Sequence, residues 1–271
     1  FIKNGNLFVL DQSVNAIFEI SLGGLASSYN NNILEKISIS KLFKRKGMTV
    51  VGGEANVIFE NGKFRMWFSR GEIAYCESTD GANFSTPISQ IPFGGRSHIL
   101  KVGSIYHIYY VDIRTYADIW HATSIDGITW SNHTIVLTAG ALGANSAAWN
   151  GIEQIGNVFA TYEDGKFKML IEVLANFCWS VGYAYSVDGL TNWWIHPDNP
   201  TVINHIDPLS IAPKATKSIG RPKMFYKDSS QRYWFTAHIS QLESLPTRIG
   251  IFWSYDLIHL NPILCNQLWI F

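Results

Sequence analysis

The sequence predicts an all-β protein, a five-bladed β-propeller with four antiparallel strands in each blade. Three observations lead to this prediction. Apolar runs joined by short polar turns recur along the chain, as in 58–69 and 158–173. A Ser-x-Asp-Gly turn, or a variant of it, closes successive hairpins. Helical periodicity is hard to find, and the one segment that suggests a helix, 205–217, contains prolines that oppose it.

Each repeat has the same order of elements. A short apolar strand leads through a polar turn, often Asn-Gly or Asp-Gly, into a strand rich in aromatic and β-branched residues. A third strand ends at the Ser-x-Asp-Gly turn, and a looser fourth strand leads into the next repeat. We therefore expect a single domain over 1–271, with blades at about 1–45, 50–92, 95–140, 152–204 and 219–271.

The first repeat is the weakest copy. Its FIKNGNLFVLDQ aligns with IFENGKFRMWFS, so the residue equivalent to Glu54 would precede Phe1. Either the start of this inner strand is absent from the chain, or the C-terminal QLWIF supplies the inner strand and closes the ring.

The Ser-x-Asp-Gly turns are interpreted as architecture. Ser and Asp side chains bond to nearby backbone, and Gly supplies a positive φ. The aromatic residue that follows is expected to pack between blades, as with Phe84, Trp130 and Trp193. In the copy at 78–81, these turn residues are Ser78, Asp80 and Gly81, and we expect no chemistry from them.

The composition excludes several classes of function. The 21 Lys and Arg balance the 21 Asp and Glu, which argues against binding nucleic acid by phosphate neutralisation. Cys76, Cys178 and Cys265 are an odd, widely spaced set, so we expect buried free thiols and no metal site. No run reaches the ~18 apolar residues of a membrane span, which predicts a soluble protein, cytoplasmic or secreted with its leader removed.

The phrases NGKFRMWFS, IAYCESTDGANFS and GRPKMFYKDSSQRYWF resemble the five-bladed propeller glycosidases. These are glycoside hydrolase families 32 and 43 and their uncharacterised relatives, in which G-K-Y-x-M-W-Y and S-x-D-G-x-x-W recur. The resemblance covers essentially the whole chain and implies a carbohydrate-active enzyme that works without a cofactor. The family's Asp-Pro opening of an inner strand, and the Glu-Cys-Pro or Glu-Gly-Pro around its general acid, are absent.

Propeller geometry predicts where the chemistry lies. The start of the first strand and the end of the second strand of each blade lie on the same face, which carries the sugar pocket in the resembling enzymes. The first-strand starts offer Glu54, Arg96 with His98 two residues on, Glu153 or Asn157, and Arg221. The second-strand ends add Asp11, Arg70, Asp112, Glu172 and His238.

Hydrolysis of a glycosidic bond needs two carboxylates, one protonated as acid and one ionised as base or nucleophile. Glu54 and Glu153 are the preferred pair. Glu54 matches by position the place of the family's base or nucleophile, with Glu for the usual Asp, and Glu153 resembles the acid at an altered spacing. Asp112 is a third carboxylate that orients the sugar or tunes the acid. Glu172 is an alternative acid, or else a buried partner of an arginine.

The predicted substrate-binding residues are Arg96, His98, Arg221, Glu172, Trp149, Trp179 and His238. Two arginines in one pocket fit an acidic sugar, or they neutralise the catalytic carboxylates of an enzyme that acts on a neutral sugar. The tryptophans would stack on a sugar face. Three alternatives stay open: a non-catalytic glycan-binding propeller, a scaffold propeller, and a glycoside phosphorylase whose arginines bind phosphate.

Overall fold

The computed structural model of the chain describes residues 2–3, 6–11, 16–21, 43–47, 52–81, 83–146, 149–176, 178–201, 218–240, 248–259 and 261–262. The chain divides into two compact units, residues 1–92 and 93–271. Within the described part, the strands form five four-stranded sheets, two in the first unit and three in the second. Neighbouring strands of every sheet pair antiparallel in chain order, which confirms the all-β class.

The first unit contains sheets I and II. Sheet I consists of β1 (Ile2–Lys3), β2 (Asn6–Asp11), β3 (Ala16–Ser21) and β4 (Phe43–Gly47). Sheet II consists of β5 (Gly53–Glu60), β6 (Lys63–Ser69), β7 (Glu72–Ser78) and β8 (Ile88–Pro92). Both sheets are simple meanders, because each strand pairs with the next one along the chain.

The second unit contains sheets III, IV and V. Sheet III consists of β9 (Gly94–Val102), β10 (Ile105–Asp112), β11 (Asp118–Ser124) and β12 (Ser131–Thr138). Sheet IV consists of β13 (Ile152–Glu163), β14 (Lys166–Ala175), β15 (Cys178–Ser186) and β16 (Trp194–Ile195). Sheet V consists of β17 (Ser218–Lys227), β18 (Tyr233–Ser240), β19 (Arg248–Ser254) and β20 (Asn261–Pro262).

One short helix, which the sequence pattern did not indicate, connects sheets III and IV. It is α1 (Ala139–Ala144), and the Thr138 hydroxyl caps it by accepting from the backbone N–H of Ala141 at 3.0 Å. The segment 205–217 lies outside the described residues. No helix in the described part is long and apolar enough to cross a membrane.

The hairpin turns follow the chemistry that the sequence indicates. Asn61 and Gly62 join β5 to β6 with φ of 49° and 76°, and Asp164 and Gly165 join β13 to β14 with φ of 52° and 70°. Two successive positive φ values define the type I′ turn, whose twist matches that of the flanking strands. Asn-Gly and Asp-Gly favour this turn because both positions tolerate the left-handed region.

The sheets of the second unit pack through two apolar clusters. The first joins sheets III and IV and includes Tyr109, Ile155 and Met169, while the second joins sheets IV and V and includes Phe159 and Phe235. Strands buried on both faces need apolar residues at successive positions, which explains the long apolar runs of the repeats. In the first unit, sheet II has its own cluster around Met66, Phe68, Ala74 and Cys76.

Trp149 belongs to the cluster between sheets III and IV. Its ring is fully buried, and its indole N–H donates to the Ser180 hydroxyl at 2.9 Å. A fully buried ring offers no face to a ligand. The prediction that Trp149 stacks on a sugar is therefore wrong, because the residue lies in the core.

The cysteines agree in part with the expectation of buried thiols. Cys76 is fully buried and free, and burial raises the pKa of its thiol to about 12. Cys178 is half-buried. Cys265 lies outside the described residues.

The four described Ser-x-Asp turns share one hydrogen-bond pattern. After β11, the Ser124 hydroxyl accepts from the Gly127 N–H at 2.8 Å, and Asp126 Oδ1 accepts from the backbone N–H of Thr129 at 2.7 Å. Equivalent bonds form after β7, β15 and β19. Trp193 then packs edge-on against Tyr109 of the neighbouring sheet, at 5.9 Å between ring centroids. The architectural interpretation of these turns is confirmed.

Candidate functional site

Four sheets carry a bulge near the start of their first strand. In sheets II to V, two residues of the first strand lie opposite one residue of the second. The opposed sets are 54–55 with Phe68, 96–97 with Tyr110, 156–157 with Glu172, and 221–222 with Ala237. A bulge bends its strand and re-aims nearby side chains, and bulges are over-represented beside active sites. The bulges mark the points that the sequence predicts as the polar starts of inner strands.

The first residue of each bulge is unusual. Glu54, Arg96 and Arg221 have φ of 55°, 51° and 50°, a region that side chains other than Gly, Asn and Asp rarely adopt. Such strain costs on the order of 1–3 kcal/mol and concentrates at functional sites. In sheet IV, Gly156 occupies this place, so the sequence alignment, which set Asn157 there, was shifted by one residue.

Glu172 lies opposite the bulge of sheet IV and is 5% exposed. Its Oε2 accepts two hydrogen bonds from Asn157, one from the backbone N–H and one from Nδ2, both at 2.7 Å. Gly156 and Gly220 lie directly against the carboxyl group, and a Cβ at either position would overlap it. The two glycines, from adjacent sheets, therefore leave the space that the Glu172 side chain fills.

The Glu172 carboxyl is suited to holding a proton. Burial raises its pKa, and the Asn157 hydrogen bonds and the positive charges of Arg221 and Arg96 oppose this effect without outweighing it. Because Oε2 already accepts two N–H groups, Oε1 is the oxygen left to carry the proton. A carboxyl whose pKa is raised is what a general acid requires.

Arg96 is held by aromatic rings. Its guanidinium carbon lies 4.5 Å from the ring centroid of Tyr116 and 5.8 Å from that of Trp179. Cation–π contacts of this kind fix a guanidinium without neutralising its charge. The carbonyl of Tyr116 accepts from the Ile155 N–H at 2.7 Å, which ties the loop after β10 to the first strand of sheet IV. The predicted Trp179 thus lies beside the predicted Arg96.

His98 is half-buried on the same strand as Arg96. Its ring meets Phe159 edge-on with centroids 4.5 Å apart, and its Nδ1 is buried with no hydrogen-bond partner in the described part of the chain. Burial first, and then the charge of Lys223, lowers its pKa well below the usual range, so the imidazole is neutral. Lys223 donates to the carbonyl of Ser97 at 3.3 Å, so it reaches from sheet V to the bulge of sheet III.

Asp112 ends β10 and is 8% exposed. Arg114 donates to both of its oxygens, from Nε to Oδ1 at 2.9 Å and from Nη2 to Oδ2 at 2.5 Å. The hydrogen bond from Arg114 lowers the pKa of Asp112, which keeps the carboxylate ionised at neutral pH. Since Arg114 engages both oxygens, the arrangement fits an orienting or electrostatic role.

The two carboxylates of the preferred catalytic pair differ in burial. Glu153 is exposed near the start of β13, whereas Glu54 is half-buried in β5 of the first unit. Glu153 is open to solvent, whereas Glu172 of the same sheet is enclosed. The pairing of Glu54 with Glu153 in one cavity stays a prediction.

Three other positions were predicted at the ends of second strands. Arg70 is exposed and donates from Nε to Glu72 at 3.1 Å in the turn between β6 and β7. His238 pairs with Gly220 across β17 and β18, and Asp11 ends β2, but for both only the backbone is described.

Sequence reasoning missed Lys223, Gly156 and Gly220 as parts of the site. A signal was present for Lys223, because it follows Arg221 by two residues, as His98 follows Arg96. The glycines carry no chemistry of their own, so only the packing around Glu172 identifies them. Among the described residues, no group of three or more His, Cys, Asp or Glu could hold a metal ion.

Neither a protein-family model nor a curated protein sequence matches this chain. Solved structures do match it. A thermostable family-43 glycoside hydrolase aligns with a TM-score of 0.63 and 17% identity, over 98% of this chain and 93% of that one. An endo-arabinase from Bacteroides thetaiotaomicron aligns with a TM-score of 0.58 and 14% identity, over 97% and 94%.

The catalytic domain of a family-62 α-L-arabinofuranosidase from Coprinopsis cinerea aligns with a TM-score of 0.63 and 10% identity, over 92% of this chain and 87% of that one. These neighbours are β-propeller glycoside hydrolases, so the predicted resemblance and the β-propeller fold are confirmed. At such low identity the likeness shows the fold alone. Any activity must be argued from the site.

Proposed function

We propose that this chain is a carbohydrate-active enzyme of the glycoside hydrolase kind, which cleaves a glycosidic bond with a protonated and an ionised carboxyl group. The observation that carries the proposal is the buried Glu172, enclosed at a bulge beside the charges of Arg96 and Arg221 in the second unit. We also propose that the five sheets are the five blades of a single propeller domain over 1–271.

In this proposal Glu172 is the general acid, in preference to the exposed Glu153. It gives the proton on Oε1 to the leaving oxygen, while a second carboxylate activates water or attacks the sugar. Glu54 is proposed as that second carboxylate, since in its own sheet it occupies the bulge position of Arg96 and Arg221. Asp112, kept ionised by Arg114, is proposed to orient the sugar.

The proposed partner is a carbohydrate. Arg96, Arg221, His98, Trp179 and His238 are proposed to bind it, and two arginines at equivalent bulges favour an acidic sugar over a neutral one. Trp149 is left out, because its ring is fully buried.

The test is a screen of aryl glycosides and oligosaccharides with wild type and with Glu172→Gln, Glu54→Gln and Glu153→Gln. Loss of a general acid lowers turnover by about 10²–10⁴-fold, so Glu172→Gln is expected to fall in that range. The matched control is Glu77→Gln, a carboxylate on β7 paired with Lys63 at 2.5 Å, which is expected to keep wild-type turnover. Full activity in Glu172→Gln would contradict the proposal. Turnover that depends on added phosphate would indicate phosphorolysis instead of hydrolysis.

Glycan binding without cleavage is the second candidate function. It is favoured by the tight enclosure of the two buried carboxyls: Glu172 is 5% exposed with Oε2 fully engaged, and Asp112 is held on both oxygens by Arg114. A wild-type protein that binds a glycan array but cleaves nothing in the screen would assign this function.

A further inference from the structure

The connection between β10 and β11, residues 113–117, is built around Asp112. The carbonyl of Asp112 accepts from the backbone N–H groups of Thr115 at 3.3 Å and Tyr116 at 2.9 Å. Its carboxylate accepts from the backbone N–H and from the guanidinium of Arg114, both at 2.9 Å. The backbone position of Tyr116 is therefore set by hydrogen bonds that do not involve the Tyr116 side chain.

Tyr116 is a strained residue of this turn. Its φ is 54°, in the left-handed region, where a bulky side chain is an outlier and an asparagine is tolerated. Such strain persists only where the surrounding structure imposes it, and it concentrates at functional sites. Arg96, whose guanidinium lies over the Tyr116 ring, also has a positive φ, 51°. Two strained residues from different segments thus meet side chain to side chain.

Tyr116 also connects the bulges of two sheets. Its ring lies 4.5 Å from the guanidinium carbon of Arg96, the first residue of the bulge in sheet III. Its carbonyl accepts from the N–H of Ile155 at 2.7 Å, immediately before the bulge of sheet IV. Residues 156–157 of that bulge pack against the Glu172 carboxyl and donate two hydrogen bonds to it. Tyr116 therefore links Arg96 to the backbone that encloses Glu172.

The ring contact acts on the direction of a long side chain. The rings of Tyr116 and Trp179 attract the Arg96 guanidinium and restrict the places it can occupy. This attraction leaves the N–H donors able to bond other groups, so it operates together with any further contacts of Arg96. From this position the charge of Arg96 acts on the Glu172 carboxyl. Because Coulomb attraction falls with distance, a guanidinium that leaves the rings acts on Glu172 differently.

We propose that Tyr116 is a positioning residue of the candidate active site, whose ring holds the Arg96 guanidinium beside the Glu172 carboxyl. It acts through Arg96 and is not assigned a contact with substrate. The role belongs to the ring, because the hydrogen bonds of the turn and the bond to Ile155 use only backbone atoms of Tyr116. The inference rests on the proposed function in that it concerns the same site, and its first test does not require activity.

Three substitutions separate the ring from the backbone. Tyr116→Phe keeps the ring and removes only the hydroxyl. Tyr116→Asn removes the ring and is compatible with a positive φ, so it is expected to keep the turn. Phe93→Asn is the matched control, because Phe93 also has a positive φ, 61°, and the guanidinium carbon of Arg114 lies 4.4 Å from its ring centroid.

The first measurement is an NMR titration of isotope-labelled glutamate carboxyl groups in the full chain, with the Glu172 signal assigned by its loss in Glu172→Gln. Arg96→Gln is expected to raise the pKa of Glu172, because it removes a positive charge that favours the carboxylate. Tyr116→Asn is expected to raise this pKa by part of that amount, whereas Tyr116→Phe and Phe93→Asn leave it unchanged. In an Arg96→Gln background, Tyr116→Asn should add nothing.

A purely structural role predicts a different result. Tyr116 packs against the apolar cluster between sheets III and IV, so its loss could lower stability alone. Lower stability with an unchanged Glu172 titration in Tyr116→Asn or in Arg96→Gln would overturn the proposal. A shift from Tyr116→Asn that persists in the Arg96→Gln background would also overturn it. If Tyr116→Asn does not fold, Tyr116→Leu replaces it, since leucine keeps an apolar side chain against that cluster.

The second measurement is the pH profile of kcat/KM on an aryl glycoside that the wild type cleaves. A general acid works in its protonated form, so activity falls as pH rises through its pKa. Tyr116→Asn is expected to lower kcat/KM by ~10-fold or more and to move this fall to higher pH, while Tyr116→Phe follows the wild type. A wild-type profile in Tyr116→Asn would overturn the positioning role and leave the proposed function standing. The expected NMR shifts in a protein that cleaves no glycoside would support the positioning role and overturn hydrolysis.

Discussion

Two features recur in sheets II to V, the Ser-x-Asp turn after the third strand and the bulge at the start of the first strand. The turns repeat both backbone and side chains, and their Ser and Asp oxygens pair with backbone N–H groups of the same turn. The bulges repeat only the backbone. Their first residues are Glu54, Arg96, Gly156 and Arg221, so an acidic residue, two arginines and a glycine take the same place.

This contrast separates architecture from function in a repeated fold. In a turn, a constant side chain satisfies donors that would otherwise lack partners, so each sheet needs the same residues. In a bulge, a charged residue at positive φ costs backbone strain, which a glycine at the same place would avoid. Side chains that vary at a strained, repeated position are therefore the ones to test for binding and catalysis.

The largest expected effect comes from filling the space beside Glu172. Gly220→Ala places a methyl group against Glu172 Oε1, so the carboxyl must move away from its Asn157 donors. Overpacking of this kind costs about 1–3 kcal/mol, and we expect the free energy of unfolding to fall by that amount. We also expect turnover to fall, because the carboxyl group is displaced. Urea denaturation and the glycoside assay measure the two effects.

The matched control is Gly140→Ala in α1, where the nearest atom is the Thr138 hydroxyl oxygen at 3.7 Å. Alanine favours a helix over glycine by about 1 kcal/mol, so this variant is expected to be neutral or slightly more stable. In a Glu172→Ala background the cost of Gly220→Ala should shrink, because its clash partner is gone. An unchanged cost would show that Glu172 is not what Gly220 accommodates.

A smaller effect is expected in the turns. Ser124→Ala removes the acceptor of the Gly127 and Asp126 N–H groups and a donor to Asp126 Oδ1. Since the hydroxyl is buried, we expect a loss of about 1–2 kcal/mol in unfolding free energy, with substrate affinity unchanged. The exposed Ser131→Ala serves as the control and should lie within about 0.5 kcal/mol of wild type. If the Ser124→Ala protein kept wild-type stability but lost activity, the turn would serve function and not architecture.

The smallest effect is the pH dependence of stability. Asp126 in a Ser-x-Asp turn and Glu172 opposite a bulge are expected to change the unfolding free energy with pH in opposite directions. Backbone N–H donors, first that of Thr129, lower the pKa of Asp126 to about 2, so its contribution is present above the unfolded value near ~4 and is lost as pH falls towards 2. Burial raises the pKa of Glu172, so its contribution is present at low pH and is lost as pH rises through the folded pKa.

Urea midpoints between pH 3 and 8 test these signs. Glu172→Gln should remove a decline at higher pH of at most about 1.4 kcal/mol per pH unit, and Asp126→Asn should remove part of the decline below about pH 4. A Glu172→Gln profile parallel to that of wild type above pH 5 would show that folding does not raise the pKa of Glu172.

The strands and the turns were predictable because their causes are local. Aromatic and β-branched runs, and Asn-Gly or Asp-Gly between them, specify hairpins within about twenty residues, and the described sheets follow these repeats. The bulges were predictable as polar strand starts, but not as shifts in register. A register shift depends on the partner strand, so the alignment of sheet IV was displaced by one residue.

The burial of single side chains was not predictable, because it depends on elements far apart in sequence. Trp149 and Trp179 look alike in the sequence, yet one is fully enclosed between sheets III and IV and the other lies half-buried beside Arg96. Glu153 and Glu172 are both acidic residues of sheet IV, yet only Glu172 is enclosed.

The propeller class, the repeated turns and the polar positions at the strand starts can be read from the amino-acid sequence. These follow from side-chain alternation and turn chemistry, which act between near neighbours. Which carboxyl is desolvated depends on the packing of the folded chain. Glu172 becomes the buried group because Asn157 of its own sheet pairs with it and Gly220 of the next sheet covers it, and desolvation arises only when such distant segments pack together.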